Sequence, residues 1–506
     1  MKIALIPLDE RPVNTRYPRM IADIAGIDFD LPPLHILSDL REKNDHVKLY
    51  QWLDDVVTQV DILIISVEQF VYGGLIASRI SDDLTQTLFG HLAHLSRFNA
   101  QHSHLSILAF SVITRISNAN NNIEEPLYWD TQGVHLHRYS QLMHRQQLGQ
   151  AVTDELAELT AQIPTEHIQD FTHRRLRNHQ VNLHLLELFG QDVFDLLVIS
   201  SDDTSEYGFG TQEKAWLQTW VNRLYADDDR LLMYPGADEI GCVLLMRAIL
   251  GDVTPTFYVH YAIDADKERV APYEDGAIRV TVERQIKAIG GTITANIDSA
   301  EYIVAVNPPS RIGQEYDPEA EFFAEEHERR QPYIETFVSD IERWLDENKR
   351  VILCDVAYPN GSDPMLIDKL LQQVDITRLA AYGAWNTAGN TIGVALAQGV
   401  ATSYMGDSPQ QRQAQGRFLL HRFIEDWGYQ HLVREQVRDW LEARFGRRDP
   451  NPDDPDELAL THAEIETRLQ GILPRLGKLS AGYRLMTVRL PWRRTFEVDF
   501  DLERDS

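Results

Sequence analysis

The sequence predicts an α/β protein built on parallel sheets, and three observations predict it. Apolar runs of strand length recur as far as residue 390, segments of helical period alternate with them, and most of the runs stop abruptly in acidic or amide residues. The last pattern reads IALIPLDERPVN (3–14), DILIISVEQFVYGG (61–74), DLLVISSDDTSEYG (195–208), RLLMYPGADE (230–239), VILCDVAYPNGSD (351–363) and AAYGAWNTAGN (380–390). In parallel sheets ligands bind beyond the carboxyl ends of the strands, where the connecting loops converge. One sheet edge would then gather many carboxylates, which repel one another unless a ligand or a reaction uses them. The pattern is that of an enzyme.

In the first half, strands are expected at 2–8, near 34–37, and at 61–67, 104–113, 195–200 and 230–234. Helical spacing falls between them over 46–59 and 84–98, and then over 141–162 and 180–190. This makes an N-terminal α/β domain over 1–250, either barrel-like or doubly wound, since periodicity does not separate the two. A second α/β domain over 251–405 follows from TFYVHYA (256–262), a helix at 278–289 ending in Gly-Gly, TITAN (292–296), EYIVAV (301–306), a long acidic helix at 317–347, VILCDVAY and AAYGAW. Residues 406–506 read as mainly helical, with GRRDPNPDDPDE (446–457) as an exposed linker. The alternation in RLMTVRLPWRRTFEVDFDL predicts terminal strands that dock back onto the body. No internal repeat of fixed period is visible.

A chain of 506 residues suits two or three domains. With 43% hydrophobic and 25% charged residues it is globular, not disordered. Its 48 basic and 77 acidic residues give a formal charge of −29, which excludes nucleic acid and anionic membrane surfaces as partners. A small-molecule substrate remains, and an anionic one could still be received by local arginine clusters. Cys242 and Cys354 lie in or beside apolar runs, as buried thiols of a reducing compartment do. The N-terminal apolar stretch breaks into charge at Asp9, and no run approaches the ~20 apolar residues of a membrane span. A cytoplasmic location is expected.

Asp202 and Asp203 follow an apolar strand and precede a Gly-containing loop. Adjacent carboxylates split their pKa values, as a general acid and a charge-stabilising partner require. A helix cap would use the same residues. Asp238 and Glu239 stand in the same kind of place, after Gly236. These four are the candidate catalytic residues. Among candidate substrate contacts, Asp9 could receive a hydroxyl while Arg11 presents its fork to an oxyanion beside Asn14; a plain ion-pair network is the competing use. Tyr72 and Arg79 flank a Gly-Gly turn, and Arg115 follows another strand with Ser117 and Asn118. RRLRNHQVN (174–182) starts a helix whose basic face is either solvated or turned to substrate. Asn360 and Asp363 follow VILC with Asp355, and Trp385, Asn386 and Asn390 follow AAYGA; Trp beside amides suits a sugar, although a core Trp is the plainer reading. His135 and His137 have the spacing of one strand face, but no third ligand accompanies them, and no metal site is assigned. GxGxxG after a first strand, a Walker loop, HExxH, CxxC and GxSxG are all absent, so no cofactor is expected.

Taken in order, PLDERPVN, VYGGLIASR, RNHQVN, SDDTSEYG, YPGADE, PYED (272–275), DVAYPNGSD and WNTAGN make a chain that resembles an uncharacterised bacterial family, domain of unknown function 4127, over most of its length. The resemblance implies no activity. It does imply that Glu10 stands where small or acidic residues vary, Glu68-Gln69 where Asp-Met is usual and Ser201 where Gln is common. Asp9, Asp202, Asp203, Asp238 and Glu239 are therefore preferred. The adjacent aspartates are also similar to those of hexosaminidases that use substrate assistance, the O-GlcNAcase-like enzymes, by analogy of local chemistry alone.

The reading that follows is a carbohydrate-active hydrolase acting on a small glycoside, an amino sugar in particular, through paired carboxylates at strand ends. Two alternatives stay open: a Mg²⁺- or Mn²⁺-dependent hydrolase or lyase with a carboxylate site, and a non-catalytic sugar-sensing protein.

Overall fold

A computed structural model describes residues 1–202, 204–226, 228–317 and 320–504. The chain divides into two units, Met1–Glu10 with Asp28–Gly241, and Arg11–Ile27 with Cys242–Ser506. The first unit holds six parallel strands: β1 (Lys2–Ile6), β2 (Asp28–Asp30), β3 (Ile62–Ser66), β4 (Ser106–Ile113), β5 (Leu196–Ser201) and β6 (Leu231–Pro235). They lie in the order β2-β1-β3-β4-β5-β6, so the sheet is open and doubly wound. Alternate strand residues Ala4, Ile6, Leu63, Ile65, Ile107, Ala109, Leu197 and Ile199 share one core. The helix Thr85–Gln101 adds Leu88, Leu92 and Leu95, and the helix Thr165–Gly190 adds Val181, Leu185 and Leu188. Each such Leu, Ile or Val side chain contributes roughly 1.5–3 kcal/mol by leaving water.

Two expected elements differ. The apolar run near 34–37 is a short 3₁₀ turn, Leu34–Ile36, because Pro33 before it fixes the backbone and offers no N–H to a ladder. Its place at the sheet edge is taken by β2, the charged tripeptide Asp-Phe-Asp, which discourages further pairing. The helix expected over 141–162 is two helices, Trp129–Gln147 and Thr153–Thr160, parted where Gly149 takes φ +80°. His135 and His137 therefore sit on a helix, where i, i+2 residues point apart.

The second unit holds five parallel strands: β7 (Thr256–Tyr261), β8 (Thr292–Ile293), β9 (Tyr302–Asn307), β10 (Arg350–Asp355) and β11 (Ala381–Gly383), in the order β11-β10-β9-β7-β8. Counted from its own first strand, this is the order of the first five strands of the other sheet. The helix Glu321–Asp346 covers it with Ile334, Phe337, Val338 and Ile341. The helix Pro12–Ala25 belongs to this unit, with the Tyr17 ring 5.3 Å from that of Phe418 and Gln411 Nε2 donating to Ile24 O at 2.9 Å.

Beyond residue 405 the unit is helical. Pro409–Arg422 runs into a π-helix, Phe423–Val433, and then into Arg434–Phe445. The expected linker ends at Asp454, whose carboxylate accepts from the N–H groups of Asp456 and Glu457 and starts the helix Pro455–Gln470. β12 (Tyr483–Arg489) and β13 (Asp499–Arg504) form an antiparallel pair, and Leu490 N donates to His462 on that helix at 3.3 Å. No helix of the described residues is long and apolar enough to cross a membrane.

Candidate active site

The carboxyl edge of the first sheet collects acids from each of its longer strands. β1 leads into Asp9 and Glu10, β3 into Glu68, β4 into the loop bearing Glu124 and Glu125, β5 into Asp202 and β6 into Asp238 and Glu239. β5 and β6 are neighbours with Ser201 opposite Pro235, and Gly236 N donates to Ser201 O at 3.0 Å, so the Asp202 and Asp238 loops start side by side. Asp203 lies outside the described residues. Asp9 stands beyond β3 and β4, three strand spacings or about 14 Å from the end of β5. Asp9, Asp238 and Glu239 are all buried. Gly236 takes φ +134°, and a Cβ there would come within 2.0 Å of Glu239 Oε1. Only glycine lets that carboxylate fold back on the turn.

The order of the strands reverses between β1 and β3, the position where doubly wound sheets hold ligands. Glu10 lies there and is tied down: Oε1 accepts from Leu40 N and Oε2 from Ser38 Oγ, each at 2.8 Å. Burial, with Asp9 adding repulsion, raises its carboxyl above the usual range. Gly73 and Gly74 take φ +91° and +137°; Asn44 N donates to Gly73 O, and a Cβ on Gly74 would strike Ser38.

Arg79 is the centre of the polar network. Its side chain is 3% exposed, Nη2 donates to Asp202 Oδ2 at 2.6 Å, and Nη1 donates to Glu124 Oε2 at 2.8 Å. Arg115 Nη2 reaches the same Glu124 oxygen at 2.8 Å. Beside them Glu125 is buried, and burial raises its carboxyl although Arg79 and Arg115 pull the other way. Behind, Arg175 grips Glu213 and Thr114 O, and Arg174 grips Asp170 at 2.7 Å. Arg79, Arg115, Arg174, Arg175, Glu125 and Tyr128 share one narrow crevice. Tyr72 lies in the hydrophobic core, with the Arg177 guanidinium 5.5 Å from its ring.

Glu68 begins a buried π-turn after β3, Glu68–Tyr72. Its Oε1 accepts from Val112 N at 2.8 Å and Ser111 Oγ at 3.0 Å, and its Oε2 accepts from Ser66 Oγ at 3.1 Å. Burial outweighs these bonds and pushes the carboxyl up to about 7. A raised acid stabilises the fold fully below its unfolded value near 4.5, and that contribution is lost as pH rises through about 7. Glu68→Gln, whose amide still meets the same groups, should flatten this slope, by on the order of 3 kcal/mol at most. Urea denaturation between pH 4.5 and 8 measures it; an unchanged slope would show that Glu68 is ionised throughout.

The remaining sequence candidates lie in the second unit. Arg11 and Asn14 open the helix Pro12–Ala25, with Arg11 4.4 Å over the Trp492 ring and 4.0 Å from Glu497. Asp363 caps the helix Pro364–Gln373 and is fully buried with Asn307 and Arg330. Beside it, burial and the charge of Asp363 push Asp355 up to about 7. Asn360 and Asn386 both take left-handed φ and are joined by Asn360 N donating to Asn386 O at 3.0 Å. Trp385 is a core residue, and Asn390 sits in the first turn of the helix Ala388–Ala401. Glu274 accepts from Gly389 N at 2.7 Å in that turn, and burial pushes it up to about 7.

The sequence reading left out Glu124, Glu125 and Tyr128. Their segment, EEPLYW, has a legible signal: two acids, a proline and two aromatics directly after the asparagine-rich loop. No group of three or more His, Cys, Asp or Glu among the described residues is arranged to hold a metal ion. No curated protein and no solved structure matches the chain. A family model described as protein of unknown function (DUF4127) matches residues 3–501, and the chain, with its acid-tipped strands, belongs to that family.

Proposed function

We propose that the protein is a hydrolase of a small glycoside, an amino sugar in the first instance, working through the carboxylates at the edge of its first sheet. The observation that supports this most is the Arg79 fork, which pairs with Asp202 beside the buried carboxyl of Glu125. A carboxylate paired with the guanidinium thus stands beside a carboxyl raised by burial. Glycoside cleavage asks for that division, with one group steadying positive charge at the sugar and another protonating the leaving oxygen. Asp202 and Asp203 are the first choice for the pair, with Asp238 and Glu239 on the neighbouring strand as the second. Tyr128 lines the same crevice, its ring stacked 4.5 Å from that of His167 and its hydroxyl donating to Asp170 at 2.7 Å.

The test is a panel of aryl glycosides, amino sugars included, incubated with and without chelator. Release of the phenol from at least one member, undiminished by chelator, is expected. Turnover abolished by chelator and restored by Mg²⁺ or Mn²⁺ would replace this reading with the metal-dependent one. Sugar binding without any turnover would make the protein a sensor.

A further inference from the structure

We infer that the crevice beside Arg79 receives the anionic group of an acidic sugar, a carboxylate or a phosphate, and so sets the substrate class. The inference rests on the glycoside reading above for its chemistry, but its observations are separate. On a chain of formal charge −29, the crevice is lined by four guanidinium groups, those of Arg79, Arg115, Arg174 and Arg175, and by the single carboxyl of Glu125. The partner acids Asp82, Asp170, Glu213, Glu124 and Asp202 are not among its walls. Two wall atoms are buried and have no hydrogen-bond partner among the described residues: Arg79 Nε and Glu125 Oε1. Buried polar atoms are seldom left unmatched, so something else satisfies them.

An N–H and a carboxyl O–H are both donors, and two donors lining one crevice complement an oxyanion. Burial favours the protonated Glu125 that this requires. The space is small: about 20 Å³ is open to a water-sized group, which fits the head of a substituent and not a sugar ring. Arg115, with a side chain one-third exposed, stands at the mouth. Because Arg79 also holds Asp202, a substrate anchored here by its acid group would present the bonds next to that group to the Asp202 carboxylate. Arg79 would then be a binding residue as well as the catalytic carboxylate's partner.

Titration calorimetry on the full chain tests this with a free hexuronic acid, the matching neutral hexose and the hexose 6-phosphate. At least one anionic sugar should bind ~10-fold or more tightly than the neutral one, and its affinity should fall with added salt. Which of the two binds better tells carboxylate from phosphate. Arg115→Gln should weaken binding of the acidic sugars and remove most of the preference. Equal affinity for neutral and acidic sugars, or a preference that survives Arg115→Gln, overturns the assignment; the salt dependence decides the matter if that variant folds poorly. Selective binding of acidic sugars with no turnover of any glycoside would defeat the hydrolase reading and leave the crevice standing. Equal kcat/KM on acidic and neutral glycosides would do the reverse.

Discussion

Replacing Arg422 by Met is expected to destabilise the second unit by on the order of 3–5 kcal/mol, the usual result of removing one partner from a buried ion pair. Arg422 is 2% exposed, donates to Asp426, lies 3.4 Å from Glu425, and stacks 4.5 Å over the Tyr17 ring. Both acids belong to the π-helix Phe423–Val433, and both are fully used: Tyr17 donates its hydroxyl to Glu425, and Ala384 N donates to Asp426 at 2.7 Å. Even with the arginine present, burial pushes Glu425 up to about 8 and Asp426 up to about 6. Without it, two carboxyls share a site with no cation. Both acids gain their proton more readily than in the unfolded chain, so the loss should shrink as pH falls from 8 towards 5. Denaturation curves of the variant across that range measure it. A loss under ~1 kcal/mol at pH 8 would mean that water reaches the cluster.

Asp202→Asn is expected to lower turnover of a confirmed glycoside by ~10²–10⁴-fold, the typical contribution of a positioned proton-transferring or charge-bearing group. The change is isosteric, Asp202 N still donates to Ile113 O, and Arg79 keeps Glu124, so the fold should be little affected. Asp203→Asn should be comparably damaging, with the acid limb of the pH–rate profile moving differently in the two variants. Wild-type turnover in both would leave Asp202 as an ion-pair partner of Arg79 and pass the chemistry to Asp238 and Glu239.

Much of the fold was legible because strands that end in acids are long and β-branched. Runs such as Ile62–Ser66 and Leu196–Ser201 were found within a residue or so for that reason. The shared strand order of the two sheets was not legible. It depends on β2, β8 and β11, two or three residues each, which have no room for a period. Nor could the sequence separate Asp9 from Arg11: they sit in one continuous motif, yet the division between units falls between Glu10 and Arg11. At the edge of the first sheet, Asp202 and Asp238 were visible because they follow strands directly. Glu125 was not, since its burial comes from a loop and from a helix, Thr165–Gly190, that lies about 40 residues further along.

The helix Pro12–Ala25 has a further consequence for how the chain is made. It leaves the ribosome between β1 and β2, but Gln411, Phe418 and Glu425, which hold it, follow roughly 400 residues later. At ~5–20 residues per second the interval is roughly 20–80 s. Through it, Val13, Tyr17, Ile21 and Ile24, buried in the finished protein, have no permanent neighbours. The first sheet can pair its strands as they emerge, while the connection between β1 and β2 waits for residues 411–425. No single cut separates the units, because a fragment ending at residue 241 keeps a helix that belongs to the rest, and the rest lacks it.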